Sequence, residues 1–282
     1  MEIDIGEITI DPFQESRFAL DGGAMFGIIP KPLWEQETPG DEKNRITLAA
    51  NILLVKGSSF NILIEQGMGD RWSEKEISIY NIRKGDGQIA ELARRGLKSD
   101  EITHVILTHL HFDHCGAATT LNEKGEIALS FPNAKYYVQR AQFEEATNPT
   151  ERNQTSYKPD RFMSIYKSGQ MVFLDGDTEI LPGVKTLVTN GHAMGHQVVE
   201  LDFGDFKGVY TGDLIPTANH INLAWIMGYD LYPVDTLEMK KKLLSRWSAE
   251  KRILFFPHET RFFGGASEYN KAKGNYRLKK ID

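Results

Sequence analysis

The stretch ITHVILTHLHFDHCGA, residues 102–117, constrains this chain more than any other. Residues 102–110 open it with an apolar run, and such a run marks a strand buried on both faces. It closes on His109-x-His111-x-Asp113-His114, three histidines and one aspartate at a strand end. On an extended strand, residues 109, 111 and 113 point to one side. A turn after the strand instead lets all four side chains converge. Imidazole and carboxylate donors together suit zinc, iron or manganese rather than calcium.

The rest of the chain repeats strand and helix. Residues 46–57 and 59–67 read as two strands around Gly57-Ser58, a hairpin signal. Residues 87–97 place Ile89, Leu92, Ala93 and Leu97 on one helical face, with Gly96 ending the helix. A strand over 133–139 leads into a helix opening at 140–147. Further strands are expected at 171–174, 184–190, 197–203, 207–213 and 252–258. The clearest helix is 235–250, with Leu237, Lys240, Lys241 and Leu244 spaced for one face and Asp235 as its cap. Alternation of this kind predicts an α/β architecture. Residues 11–45 and 148–170 read as irregular loops that cover something.

Three more ligand types stand where this architecture would use them. His192 follows strand 184–190, Asp213 ends strand 207–213, and His258 ends strand 252–258. Loops leaving that end of a sheet are where α/β ligand sites form. Seven candidates exceed the needs of one zinc, so two metals are the natural count, with Asp213 as the bridging carboxylate.

The motifs THLHFDHCG, NGHAMGH, TGD and FPH, in this order, resemble those of the metallo-β-lactamase fold hydrolases. The segments FPNAKYYVQRAQFEEATNP and GDLIPTANHINLAWIMGYDLYP are similar to the branch that holds N-acyl-homoserine lactonases and methyl-parathion-type hydrolases. The resemblance covers nearly the whole chain. It implies one hydrolase domain over 1–282, an α/β (α+β) fold arranged as a four-layer αβ/βα sandwich. It also implies two divalent ions, zinc first, with iron, manganese or cobalt as substitutes. By this resemblance His109, His111 and His192 hold one ion; Asp113, His114 and His258 hold the other; Asp213 bridges them. Asp113 and Asp213 are then the catalytic carboxylates. Met25 and Phe26 belong to an early loop that lines the acyl pocket in the lactonase branch. Trp225, Ile226 and Met227 would line the pocket or form a dimer surface. His220 is expected in the pocket. Two departures stand out. Glu65-Gln66-Gly67 replaces the usual Asp-Thr-Gly, which leaves the contact from that turn open. Pro216 stands where lactonases carry a substrate-orienting tyrosine, and Tyr229 or His220 is the candidate to replace it.

The remaining chemistry-bearing residues take quieter roles. His196 is expected beside the site without being a ligand, His104 at a core edge, and Cys115 in packing. That lone cysteine allows no intrachain disulfide. Net charge is −6 and no Lys/Arg block stands out, which argues against nucleic acid as partner. No apolar stretch is long enough to span a bilayer, and the N-terminus does not look like a signal peptide. The expectation is a cytoplasmic enzyme with a small-molecule substrate, no membrane partner, and a surface that admits a homodimer. Its reaction would be hydroxide attack on a lactone or ester carbonyl. The rivals are a phosphotriesterase or aryl-esterase, a glyoxalase II-type thioesterase, and a metal-binding scaffold without catalysis. Only 24 residues follow His258, short for the helical region of a glyoxalase II.

Overall fold

The strand that carries the histidine cluster is the middle of a parallel trio. In the computed structural model, which describes residues 1–281, His104–Ile106 pairs in parallel with Asn61–Ile64 on one side and with Lys135–Gln139 on the other. A strand paired on both sides is an interior strand of its sheet, and Val105, Ile106 and Leu107 are all fully buried. Met171–Leu174 extends the trio in parallel, and the hairpin partner Arg45–Lys56 runs antiparallel to Asn61–Ile64.

The chain divides into two compact units. The first holds Met1–Arg17 and Ala50–Gly176, and the second holds Phe18–Ala49 and the chain from Asp177 on. The first unit packs Phe13, Leu54, Leu63, Leu92, Val105, Tyr136, Phe162 and Ile165 into one apolar core. The second is built on a seven-stranded sheet in which the strands from Thr178 to Lys280 follow in sequence order. All its neighbours are antiparallel except Phe206–Tyr210 with Ile253–Phe255, which pair in parallel across the helix Pro233–Ala249. That helix lays Leu243, Leu244 and Trp247 against Val198, Val209 and Leu254 of the sheet. No helix of the described residues is long and apolar enough to cross a membrane.

The two stretches read as irregular are largely structured. Residues 11–45 contain most of the strand Ile8–Asp21 and the short helices Gly22–Phe26 and Lys31–Trp34. Residues 148–170 contain the helix Pro159–Lys167. The cause is buried charge, which a hydropathy pattern reads as surface. Asp11 is buried against the Arg95 guanidinium, at 2.7 Å, and Glu15 takes the Met68 amide at 3.1 Å. Arg161 is 1% exposed on the inner face of its helix.

Helix faces needed correction as well. In Gly87–Arg94 the buried residues are Gln88 and Leu92, while Ile89 is 45% exposed. The helix is turned because the Gln88 amide donates to the Ala117 carbonyl at 2.5 Å. Its end is as expected, with Gly96 at φ +73°. The long helix begins at Pro233 after Tyr232, so Asp235 lies in the first turn rather than at the cap. Its buried face is Thr236, Lys240, Leu243, Leu244 and Trp247, and Lys241 points to solvent.

Candidate metal centre

The candidate ligands fall into two sets, one in each unit. In the first, the strand ends at Ile106 and the Leu107 amide still bonds the Tyr137 carbonyl at 3.0 Å. The chain then leaves the sheet and winds into the short helix Phe112–Cys115. It is this turn, and not a continued strand, that gathers the cluster. His109 Nε2 and His111 Nδ1 lie 3.0 Å apart, and the His109 and His114 rings lie 4.0 Å apart, centre to centre. His114 Nε2 is 3.6 Å from Asp113 Oδ2. All four side chains are buried.

Glu65 answers the question raised by the altered turn. Its Oε2 accepts from His114 Nδ1 at 2.9 Å, and its Oε1 accepts from the Thr108 amide at 2.8 Å. The carboxylate therefore keeps the proton of His114 on Nδ1 and leaves Nε2 as the donor atom for an ion. The Gln66 amide donates to the His114 carbonyl at 2.9 Å, and Glu65 itself is held at φ +74°, a strained setting for a side chain. Gly116 packs so tightly that a Cβ there would stand 2.1 Å from the Met68 carbonyl oxygen. Tyr157 lays its ring 4.8 Å from that of His111 and donates its hydroxyl to Glu145 at 2.6 Å. No sequence signal pointed to Tyr157. Cys115 is fully buried, its thiol turned to the Leu110 carbonyl at 3.4 Å, and burial pushes its pKa up. It is a packing residue, as expected.

In the second unit, His192, Asp213 and His258 come together beyond the ends of the strands Val184–Val188, Phe206–Tyr210 and Ile253–Phe255 of one sheet. Asp213 Oδ2 is 3.3 Å from His192 Nε2, and Oδ1 is 3.2 Å from His258 Nε2. Each carboxylate oxygen thus faces a different imidazole. The far sides of the two rings fix their tautomers. His258 Nδ1 lies 2.8 Å from the Ala49 carbonyl, an acceptor only, so that nitrogen carries the proton. His192 Nδ1 donates to Asp230 Oδ1 at 2.9 Å, and Asp230 Oδ2 takes the Thr236 hydroxyl at 2.7 Å. Both Nε2 atoms then present lone pairs toward carboxylate oxygens. Lone pairs facing at this distance repel, and a shared cation turns the repulsion into coordination. His196 sits beside the site, as expected. Its Nε2 accepts the Asp213 amide at 2.9 Å, and its Nδ1 meets Thr189 Oγ1 at 2.6 Å.

The expected pocket residues all lie in the second unit. Met25 and Phe26 end the helix Gly22–Phe26 and are buried. Phe26 stacks on Trp34 at 5.2 Å and on His220 at 5.0 Å, and meets Trp225 edge-on at 5.4 Å. His220 is a strut: its Nε2 donates to the Met25 carbonyl and its Nδ1 meets the Thr217 hydroxyl, each at 2.8 Å. Burial pulls its pKa down to about 3, so the ring is neutral. Met227 is buried and Tyr229 half-buried. A cavity of ≈ 220 Å³ has Phe26, Leu48, Thr217 and His258 in its wall. Pro216, where lactonases carry a tyrosine, is buried and offers its carbonyl to the His258 amide at 2.9 Å.

Residues 45–258 match the model of the metallo-β-lactamase superfamily. The chain belongs to that family. It has the metallo-β-lactamase fold, of mixed α and β content, and is a metal-dependent hydrolase. It is 29% identical over 211 residues to an N-acyl homoserine lactonase of Bacillus thuringiensis, covering 70% of this chain and 76% of the relative. Its fold is similar to that of a probable metal-dependent hydrolase from Staphylococcus aureus, with a TM-score of 0.88 at 29% identity, over 99% of this chain and 100% of that one. It also resembles AidC, a dizinc quorum-quenching lactonase solved with a product, N-hexanoyl-L-homoserine. There the TM-score is 0.81 at 19% identity, over 100% of this chain and 97% of that one, a likeness of fold alone. The donors present fit the family's metals. Five imidazoles and two carboxylates, all buried, are a donor set that suits two divalent ions, zinc foremost.

Proposed function

We propose that this protein hydrolyses the ring ester of N-acyl homoserine lactones or a close ester analogue, using two divalent ions held by seven side chains. In this reading His109, His111 and His192 serve one ion, Asp113, His114 and His258 serve the other, and Asp213 spans both. The observation that carries the hydrolytic reading is Asp213, whose two oxygens face the Nε2 atoms of two different histidines. The choice of lactone rests on the curated relatives, which are named N-acyl homoserine lactonases.

When bound, such an ion pair supplies a hydroxide nucleophile at neutral pH and polarises the substrate carbonyl. The chain's own residues do the rest. Glu65, Asp230 and the Ala49 carbonyl hold the protons of three imidazoles on the far nitrogen, so that each Nε2 stays a donor of electrons. Asp113 is the carboxylate that takes the proton released on attack and passes it to the leaving alkoxide. Met25, Phe26, Met227 and Tyr229 contribute the apolar side that receives the acyl chain, with His220 bracing Phe26 from behind.

Pro216 favours one second reading. With no hydroxyl at that position to orient a lactone, an aryl ester or phosphotriester is the alternative substrate. A glyoxalase II-type thioesterase is disfavoured, because Gly264–Asn270 and Asn275–Lys280 form a hairpin where that enzyme would carry helices. The test is a turnover panel of acyl homoserine lactones, aryl esters, phosphotriesters and a glutathione thioester on zinc-loaded protein. The lactones should lead by at least tenfold in kcat/KM. A panel led by phosphotriesters overturns the lactone assignment, and a panel with no turnover reinstates the scaffold reading.

A further inference from the structure

The helix Pro233–Ala249 carries a lysine on its buried face. Lys240 is 0% exposed, among Thr236, Leu243, Leu244 and Trp247. Its Nζ donates to three backbone carbonyls, those of Asn222 at 2.7 Å, Leu223 at 3.3 Å and Trp225 at 2.8 Å. An ammonium has three protons and no acceptor, so the count closes with every proton placed. A leucine here would bury apolar surface without desolvating a charge. The lysine therefore answers a need that packing does not meet. That need lies in the irregular segment 222–232, where the carbonyls of Asn222, Leu223 and Trp225 belong to no helix or sheet ladder.

This segment touches both the aromatic group and one candidate ligand histidine of the second unit. Trp225 meets Phe26 edge-on at 5.4 Å. The Gly228 amide donates to the Ala24 carbonyl at 2.8 Å, and a Cβ on Gly27 would come within 2.4 Å of the Ile226 carbonyl oxygen. Further along, Asp230 holds His192 Nδ1, and the Leu231 and Tyr232 amides donate to the His192 and Gly191 carbonyls at 3.1 and 2.9 Å. One strap thus lies against the aromatic group at one end and a ligand histidine at the other. Lys240 fastens its first turn.

We infer that Lys240 is a positioning residue that fixes segment 222–232 through those three carbonyls, and so sets both the orientation of His192 and the aromatic wall of Phe26 and Trp225. The inference rests on the functional reading above for what those two ends do. The fastening itself stands on the hydrogen bonds. Burial pulls the pKa of Lys240 down to about 7, while the Asp230 charge holds it up.

The test uses the full zinc-loaded chain with Lys240→Met, which keeps the length and removes the donors, and Lys240→Arg, which keeps the charge and donors. Lys240→Gln serves if the methionine variant does not fold. Amide hydrogen exchange over 222–232 should quicken at least tenfold in Lys240→Met, with strand Gln197–Phe203 unchanged. Zinc loss to a chelator should quicken about tenfold in the same protein. KM should rise more for long-acyl than for short-acyl substrates, and Lys240→Arg should restore most of each property. Unchanged exchange in 222–232, or faster exchange spread evenly over the chain, overturns the inference; so does an arginine variant as impaired as methionine. Exchange and zinc loss are read without substrate. If the wild type hydrolyses no lactone or ester but these two respond as stated, the substrate reading fails and the fastening stands.

Discussion

Replacing Asp230 should uncouple metal affinity from fold stability by a calculable amount. The carboxylate is 2% exposed and accepts two bonds, from His192 Nδ1 at 2.9 Å and from Thr236 Oγ1 at 2.7 Å. In Asp230→Asn the amide oxygen still accepts from His192. The amide NH₂ then faces Thr236, whose hydroxyl can turn to accept it and direct its own proton to the Tyr232 carbonyl, 3.5 Å away. The fold should lose no more than about 1 kcal/mol, one ordinary hydrogen bond rearranged. The imidazole, however, loses the charge that raises its basicity toward an ion. Loss of such a partner weakens metal binding about 10–100-fold, or roughly 1.4–2.8 kcal/mol. In Asp230→Ala both partners are left buried and unbonded, so stability should fall by about 2–4 kcal/mol as well. Urea unfolding of metal-free protein reads the first quantity, and zinc competition against a calibrated chelator reads the second. If Asp230→Asn bound zinc as tightly as wild type, Asp230 would not be orienting a ligand. If Asp230→Ala were as stable as wild type, the two bonds would not be structural.

Two further outcomes follow from single contacts. Gly116→Ala should cost about 3 kcal/mol or more, because its Cβ would stand 2.1 Å from the Met68 carbonyl oxygen in the turn that follows His114. A soluble variant with unchanged urea midpoint would refute that tight approach. His220 is held at about 3 in the fold, by burial, against 6.5 for a free imidazole. The unfolded chain therefore binds the extra proton between those limits. Its contribution to stability is whole above pH 6.5 and drains away as pH falls toward 3. His220→Gln should start less stable at pH 7 and lose less between pH 7 and pH 4. Parallel losses in urea titrations of the two proteins would mean that His220 does not titrate as buried.

The sequence exposed the elements whose chemistry repeats in a simple way. Val105, Ile106 and Leu107 are buried because their strand is flanked on both sides, and a parallel strand of that kind is apolar throughout. The seven candidate ligands announced themselves as His and Asp beyond strand ends, where α/β ligand sites form. What stayed hidden was held by buried polar contact. Asp11 with Arg95, Glu15 with the Met68 amide, and Arg161 on an inner helix face all read as surface, so strand Ile8–Asp21 and helix Pro159–Lys167 looked irregular. The supports of the candidate ligands were hidden for the same reason. Asp230 lies 38 residues from His192 and Ala49 lies 209 from His258, and one of these partners is a backbone carbonyl with no residue signature at all. Glu65 was noticed only as a departure, yet its longer side chain spans both His114 and the Thr108 amide.

The most direct test of the account is metal stoichiometry in the wild type beside Asp213→Asn. Elemental analysis of zinc-loaded wild type should give two ions per chain, together with lactone turnover. An asparagine keeps one oxygen and loses the charge, so it offers a ligand oxygen beside only one of His192 and His258. Asp213→Asn should hold at most one tightly bound ion and lose at least a hundredfold in kcat/KM, with its secondary structure intact by circular dichroism. An Asp213→Asn protein with two tightly held ions and wild-type turnover would contradict the bridging role on which the hydrolytic reading rests.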